Sequence, residues 1–306
     1  MNKKKVAVFL CLVFFCFHGT LQSYPQDDHW QTVQTPPFRI HFTKPDAFYA
    51  NEFESLFHFA NDELTAKLHI KLQQSVDVYL CANNRDFMQL TGNMAPHWGE
   101  GIANPEKNLI VIKSPNLTNN YDRQKQLVVH ELVHILVGKW SRVPPPRWFN
   151  EGIAMYFSND HEFAKGEALS KALISDSVIP LDEIDDVLQF QKTKARLAYE
   201  ESYLFVKFLV DKYGLDRLRN LILDLHGNGS FEKIFASRYP ADMFDMELEW
   251  YDVIKKKYRW RFLVDFDIYI WIFILLVFIL VAVSIKFRNR KTIKRWEEED
   301  KFASGP

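Results

Sequence analysis

His130, Glu131 and His134 stand together as His-Glu-Leu-Val-His, and seventeen positions after His134 comes Glu151, inside Trp148-Phe149-Asn150-Glu151-Gly152. An α-helix turns about 100° per residue, so side chains four apart differ by only about 40°, and His130 and His134 converge on one point. Two imidazoles held that way grip one metal ion. Glu131, one residue along, projects to the flank of the pair, where a carboxylate can hold a metal-activated water and take its proton as general base. Catalytic zinc sites usually use three protein ligands and leave a fourth position open. The third ligand must therefore come from beyond this turn, and Glu151 is the nearest suitable carboxylate. Such a chain has to fold so that two separate helices return to the same place.

The local sequence supports that return. Leu127, Val128, Leu132, Val133, Ile135, Leu136 and Val137 surround the motif and predict a helix buried on most sides. Gly138 fits its C-terminal cap. Pro144, Pro145 and Pro146 forbid continuation and stiffen the return, and Asn150 fits the cap of a second helix that carries Glu151. The five-residue motif alone arises by chance in other chains. The downstream Asn-Glu-Gly and the apolar setting carry the inference further, because two His and two Glu on apolar helices are otherwise costly to bury.

Here the chain resembles the gluzincin metallopeptidases, the thermolysin-like clan, and more closely the small bacterial peptidase-MA-like domains within it. The resemblance covers roughly Phe38 to Tyr258. Its most specific part is His130 to His134 followed by Pro146-Arg147-Trp148-Phe149-Asn150-Glu151-Gly152-Ile153-Ala154, which looks like the family's two metal-binding helices in order and spacing. Gly101-Ile102-Ala103-Asn104 with Asn108 to Ile112 looks like its glycine-containing edge strand, and Ala198-Tyr199-Glu200-Glu201-Ser202 resembles its tyrosine-bearing helix. The resemblance implies an α+β, zincin-like fold: a small mixed sheet lobe, then a mostly helical lobe, with one zinc ion at the junction. His130, His134 and Glu151 would bind the ion, Glu131 would act as base, and the Tyr199 phenol would hydrogen-bond the oxyanion formed at a carbonyl.

The weaker segments also have readings of their own. Gly101, Ile102 and Ala103 lead an apolar strand suited to donating backbone hydrogen bonds to an extended peptide substrate, and equally suited to being an ordinary sheet edge. Tyr203 lies one turn beyond Tyr199 and offers a second phenol, while the apolar run around both fits plain helix packing. One departure stands out: the thermolysin branch places an acidic residue one turn after its glutamate ligand to orient a histidine, and here that position is Met155. Another oxygen acceptor must orient the ring.

Lys3, Lys4 and Lys5 followed by the apolar run Val6 to Phe17 predict a secretory signal peptide over residues 1–23. Ile268 to Ile285 is uncharged and apolar, and its eighteen residues rise about 27 Å as a helix, close to the hydrocarbon thickness. A transmembrane helix is therefore predicted over 266–286, with a short basic then acidic cytoplasmic tail over 287–306. Basic residues flank the span on both sides, so the leader decides orientation: the domain at 24–260 is exported, periplasmic or at the cell surface, and the C-terminus is cytoplasmic. Asp265 and Asp267 fit the outer boundary, and Tyr258, Trp260, Tyr269 and Trp271 fit interfacial positions.

A net charge of -1 gives nucleic acid no purchase. Of three cysteines two fall in the leader, leaving Cys81 as a buried thiol and no intrachain disulfide after cleavage. Strands are expected near Phe38–Phe42, Val76–Leu80 and Leu109–Ile112, with a helix from about Ala47 to Leu68 and mostly helix after His130. His97 and His226 read as surface histidines. The function expected is a membrane-anchored zinc metallopeptidase with one Zn2+, a peptide or protein substrate and the membrane as partner. The alternatives are a non-catalytic exported binding domain, or a zinc hydrolase acting on another amide such as cell-wall peptide.

Overall fold

The computed structural model describes residues 29–92, 99–118, 123–259, 266–303 and 305. The expected leader, His97, Trp260 and Asp265 lie outside them. In chain order the front of the chain forms β1 (Gln31–Thr35), β2 (Phe38–Phe42), α1 (Ala50–Leu68), β3 (Val76–Cys81), α2 (Asn84–Leu90), β4 (Gly101–Asn104), β5 (Leu109–Lys113) and α3 (Pro115–Thr118). The rest is helical: α4 (Gln124–Trp140), α5 (Arg147–Ser158), α6 (His161–Ala164), α7 (Glu167–Ser175), α8 (Lys192–Tyr213), α9 (Leu215–Asp224), α10 (Phe231–Arg238), α11 (Met243–Tyr258) and α12 (Phe266–Ala303). The expected α+β order, a small mixed sheet and then a helical lobe, is what the chain adopts.

The sheet runs β1-β2-β3-β5-β4, with β2, β3 and β5 parallel and the two outer strands antiparallel to their neighbours. Period-two alternation sorts its faces. Phe38, Ile40, Val76, Val78, Leu80, Ile110 and Ile112 point into the main core, which they share with α1 and α4. The opposite face carries Arg39, His41, Asp77 and Tyr79, paired in register across β2 and β3. Toward β5 that face is covered by α2, where Cys81 and Phe87 pack with Leu109 and Val111. Burial pushes the Cys81 thiol well above its usual range, which suits an inert core residue.

Several boundaries differ from the sequence reading. The strand Gln31–Thr35 is mostly polar and exposed, so its hydrophobic pattern is faint; it is held by antiparallel pairing to β2. The helix expected from Ala47 begins at Ala50, after a 3-10 turn at Lys44–Asp46. Gly138 does not cap α4, which continues to Trp140; a Cβ at Gly138 would sit 2.4 Å from Pro105, so the glycine instead lets the helix pass that ring. Asn150 is not a cap either: α5 starts at Arg147 behind Pro146, and Asn150 lies in its first turn. His226 is exposed as expected, stacked on Trp140 and bonded through Nδ1 to its carbonyl.

Near the C-terminus, Tyr269–Trp296 within α12 is long and apolar enough to cross a membrane, and its apolar side chains stand exposed. Beyond Lys286 the helix runs on to Ala303.

On the polar face of the sheet, Arg39 grips Asp77 through two contacts of 2.6 and 2.5 Å, and His41 adds a third at 2.9 Å. Burial opposes ionisation of Asp77, but the bonds from His41 and Arg39 outweigh it and bring its pKa from 3.8 down to about 2. A depressed carboxylate stabilises the fold above its unfolded pKa, and that contribution disappears as pH falls from about 4 through about 2. Asp77→Asn should therefore cost about 2 kcal/mol at neutral pH. The difference between the two proteins, read from urea midpoints in detergent, should shrink across that acid window; a gap that persists unchanged would refute the assignment.

Candidate metal centre

Two apolar helices bring the polar groups together. Along α4, Val128, Val129, Leu132, Val133, Ile135, Leu136 and Val137 are buried, so the helix is fixed on most sides and the ring of His134 turns toward α5. Helix α5 is anchored by Trp148 and Phe149, both fully buried, through ring contacts with Phe205 and Phe231. It packs between α4 and α8. A Cβ on Gly152 would lie 2.5 Å from the Ser202 carbonyl oxygen and 2.6 Å from Val206 Cγ2, so only glycine allows the two helices this close. Glu151, the neighbour of that contact, is thereby carried up to the histidines.

The three side chains converge. His130 Nε2 and His134 Nε2 are 3.1 Å apart, and Glu151 Oε2 is 3.6 Å from the first and 3.7 Å from the second. In a tetrahedral site with bonds of about 2.0–2.1 Å, donor atoms stand roughly 3.3–3.4 Å apart. The observed triangle fits that size, and two imidazoles with a carboxylate are a donor set suited to a borderline cation. His130, His134 and Glu151 can together hold one metal ion.

The charges in this buried cluster are balanced against one another. Burial pulls the His130 imidazolium down, but its bond to Glu151 and the charges of Glu131 and Glu151 prevail and raise it above its ordinary range. Burial brings His134 down to about 4, so it is neutral at physiological pH. Glu151 resists its own burial through His130, His134 and Arg147 and titrates at about 2, a permanent anion. Glu131 is pushed up to about 7 by burial, with the nearby Glu151 charge adding to it. A carboxylate there can both take and return a proton near neutrality.

Two residues that sequence reasoning had not placed in the site contact its ligands. Arg147 Nη1 lies 3.5 Å from Glu151 Oε1, so the carboxylate turns one oxygen to the arginine and the other to the imidazoles. Arg147 is itself tied by its backbone N–H to Asp185 Oδ1 at 2.8 Å. The signal was available: Arg147 and Glu151 are four apart, the same spacing that pairs the histidines. The side chain of Asn150 reaches the His134 ring, yet Nδ1 of His134 is buried without an aligned hydrogen-bond partner. Met155, where an acidic residue was sought, is packed in the core.

The remaining candidates divide. A Cβ on Gly101 would come within 2.6 Å of Glu131 Oε1 and 3.0 Å of Leu127, so β4 backs directly onto the Glu131 carboxylate. Ile102 and Ala103 continue that strand in antiparallel register with Val111 and Ile110. Tyr199 on α8 is half-buried, and its phenol is held protonated by burial first and by the charges of Glu151 and Glu131 after it. Tyr203 has other neighbours, namely Lys207, Tyr156, Tyr258 and Asp211.

Comparison with known proteins agrees with this arrangement. The chain is 24% identical over 233 residues to the uncharacterized protein YhcO of Bacillus subtilis (strain 168), in an alignment that covers 68% of this chain and 69% of that protein. Residues 60–256 match the Peptidase MA superfamily. That segment begins inside α1 and ends inside α11, taking in both helices that bear the three donors, and the chain belongs to the Peptidase MA superfamily.

Proposed function

We propose that this protein is a membrane-anchored zinc metallopeptidase whose domain, residues 24–260, works outside the cytoplasm. The observation that carries the reading is the triangle of His130, His134 and Glu151 donor atoms with the Glu131 carboxylate beside it. Membership of the superfamily suggests a peptidase. An apolar helix able to cross a membrane suggests the anchor, and the basic and apolar start of the chain suggests export.

A zinc ion held by His130, His134 and Glu151 would supply a Lewis acid that polarises a carbonyl and acidifies water. The chain's own groups do the rest. Glu131 accepts a proton from the attacking water at its carboxylate and returns it to the departing amine. The Tyr199 phenol, kept protonated, donates a hydrogen bond to the oxygen on which charge develops. Arg147 fixes Glu151 by holding Oε1. Gly101, Ile102 and Ala103 present an edge against which an extended peptide adds as a further strand, close to Glu131.

The test is cleavage of a mixed peptide pool by the purified chain, with and without a zinc chelator. Chelator-sensitive cleavage is expected, and a chain that cleaves nothing with zinc bound would overturn the reading. Glu131→Gln should keep its zinc and lose about 10²–10⁴-fold in turnover. Arg147→Met should weaken zinc affinity about 10–100-fold, read by competition with a chelating dye. Gly101→Ala should leave zinc content unchanged while displacing Glu131, so kcat falls with the metal still in place; full activity in that variant would disprove the closeness of β4 to the base.

A further inference from the structure

Helix α11 is the last element before the membrane helix, and its exposed side is not uniform. Met246, Trp250, Ile254 and Tyr258 recur every fourth residue and are buried, which fixes the rotation of the helix against its neighbours α7, α8 and α10. Phe244, Leu248, Tyr251, Lys255 and Arg259 follow at spacings of three and four, so they line up as a single stripe beside the buried one. Phe244 is 68% exposed and Leu248 52% exposed. Lys255 Nζ lies 5.7 Å from the Tyr251 ring centre, and Lys256 and Lys257 add charge at the same end. Asp245, Glu249 and Asp252 run along the flank of the stripe that faces away from the buried residues, Asp252 nearest the basic end, and Glu249 is occupied by an ion pair to Lys212.

An apolar edge that grades into lysine and arginine toward one end is the pattern of a helix lying in a bilayer interface, with stems in the headgroup zone and charges among phosphates. Chain length makes the same demand. Only residues 259–265 separate α11 from α12, and the Cα of Arg259 can stand no more than about 25 Å from that of Phe266, at the mouth of the span.

We propose that the Phe244–Leu248–Tyr251–Lys255–Arg259 stripe of α11 rests on the anionic headgroup surface of the membrane crossed by α12, holding the domain against the bilayer in one orientation. The inference rests on the reading of α12 as a membrane span. Phosphatidylglycerol-type headgroups supply the negative partner for the basic end, and the acyl boundary receives Phe244 and Leu248.

The test uses the full chain reconstituted into phosphatidylcholine vesicles with and without phosphatidylglycerol. An environment-sensitive fluorophore is placed on a cysteine introduced at Leu248 or, as a control, at the exposed Asp216 of α9, with background labelling measured on the parent chain. Brominated lipids should quench the label at 248 by about twofold or more relative to 216 in anionic vesicles, and Lys255→Glu with Arg259→Glu should remove that excess. Equal quenching at both sites would overturn the proposal, as would energy transfer between labels at 248 without lipid quenching, which would mean that a second copy covers the stripe. Alkaline carbonate extraction of the same vesicles separates the two readings. A chain that extracts defeats the span and this inference together, whereas a retained chain unquenched at 248 defeats the inference alone.

Discussion

Glu151 meets the two histidines only because α5 can press against α8 on one side while facing α4 on the other. Gly152 sets that distance. With the Ser202 carbonyl within 2.5 Å of where a Cβ would be, any side chain at 152 would push α5 away from α8, and with it the carboxylate that closes the donor triangle. Trp148 and Phe149 lock the same helix from its other end. The apolar packing is the cause and the polar convergence its consequence: the cluster is buried because the helices that carry it are apolar almost all the way round.

That burial creates an electrostatic demand. Two carboxylates and two imidazoles away from water are costly unless their charges are matched. The guanidinium of Arg147 and a His130 imidazole raised above its ordinary range offset Glu151, while burial lifts Glu131 to about 7 and keeps His134 neutral. A cation held by His130, His134 and Glu151 would supply positive charge where those groups meet. Because the three donor atoms already converge, little reorganisation is left for such a cation to impose.

How much of this was legible depended on whether the governing contact was local. The i, i+4 rule pairs His130 with His134, and the same rule reaches Arg147 and Glu151. Alternation located β2, β3 and β5, whose inward residues are apolar, and missed Gln31–Thr35, whose stability comes from pairing with β2 and not from its own pattern. Gly138 looked like a cap because glycine commonly ends helices. Its actual reason, the ring of Pro105, lies thirty-three positions away in sequence and leaves no local trace. Asn150 was assigned by its residue type to a helix start, and the proline run moved that start upstream to Arg147.

The edge strand shows how sheet and helices become one site. Strand β4 pairs with β5 on one side, and among the described residues no strand lies on its other side. Gly101 begins it with a backbone so close to Glu131 that a methyl group would strike the carboxylate. The Glu131 carboxylate is therefore confined between its own helix and the sheet edge, with Leu127 one turn earlier completing the wall. Confinement of this kind raises the Glu131 pKa by excluding water and also restricts where its oxygens can point. A single glycine thus ties the edge strand of the sheet to the carboxylate on α4.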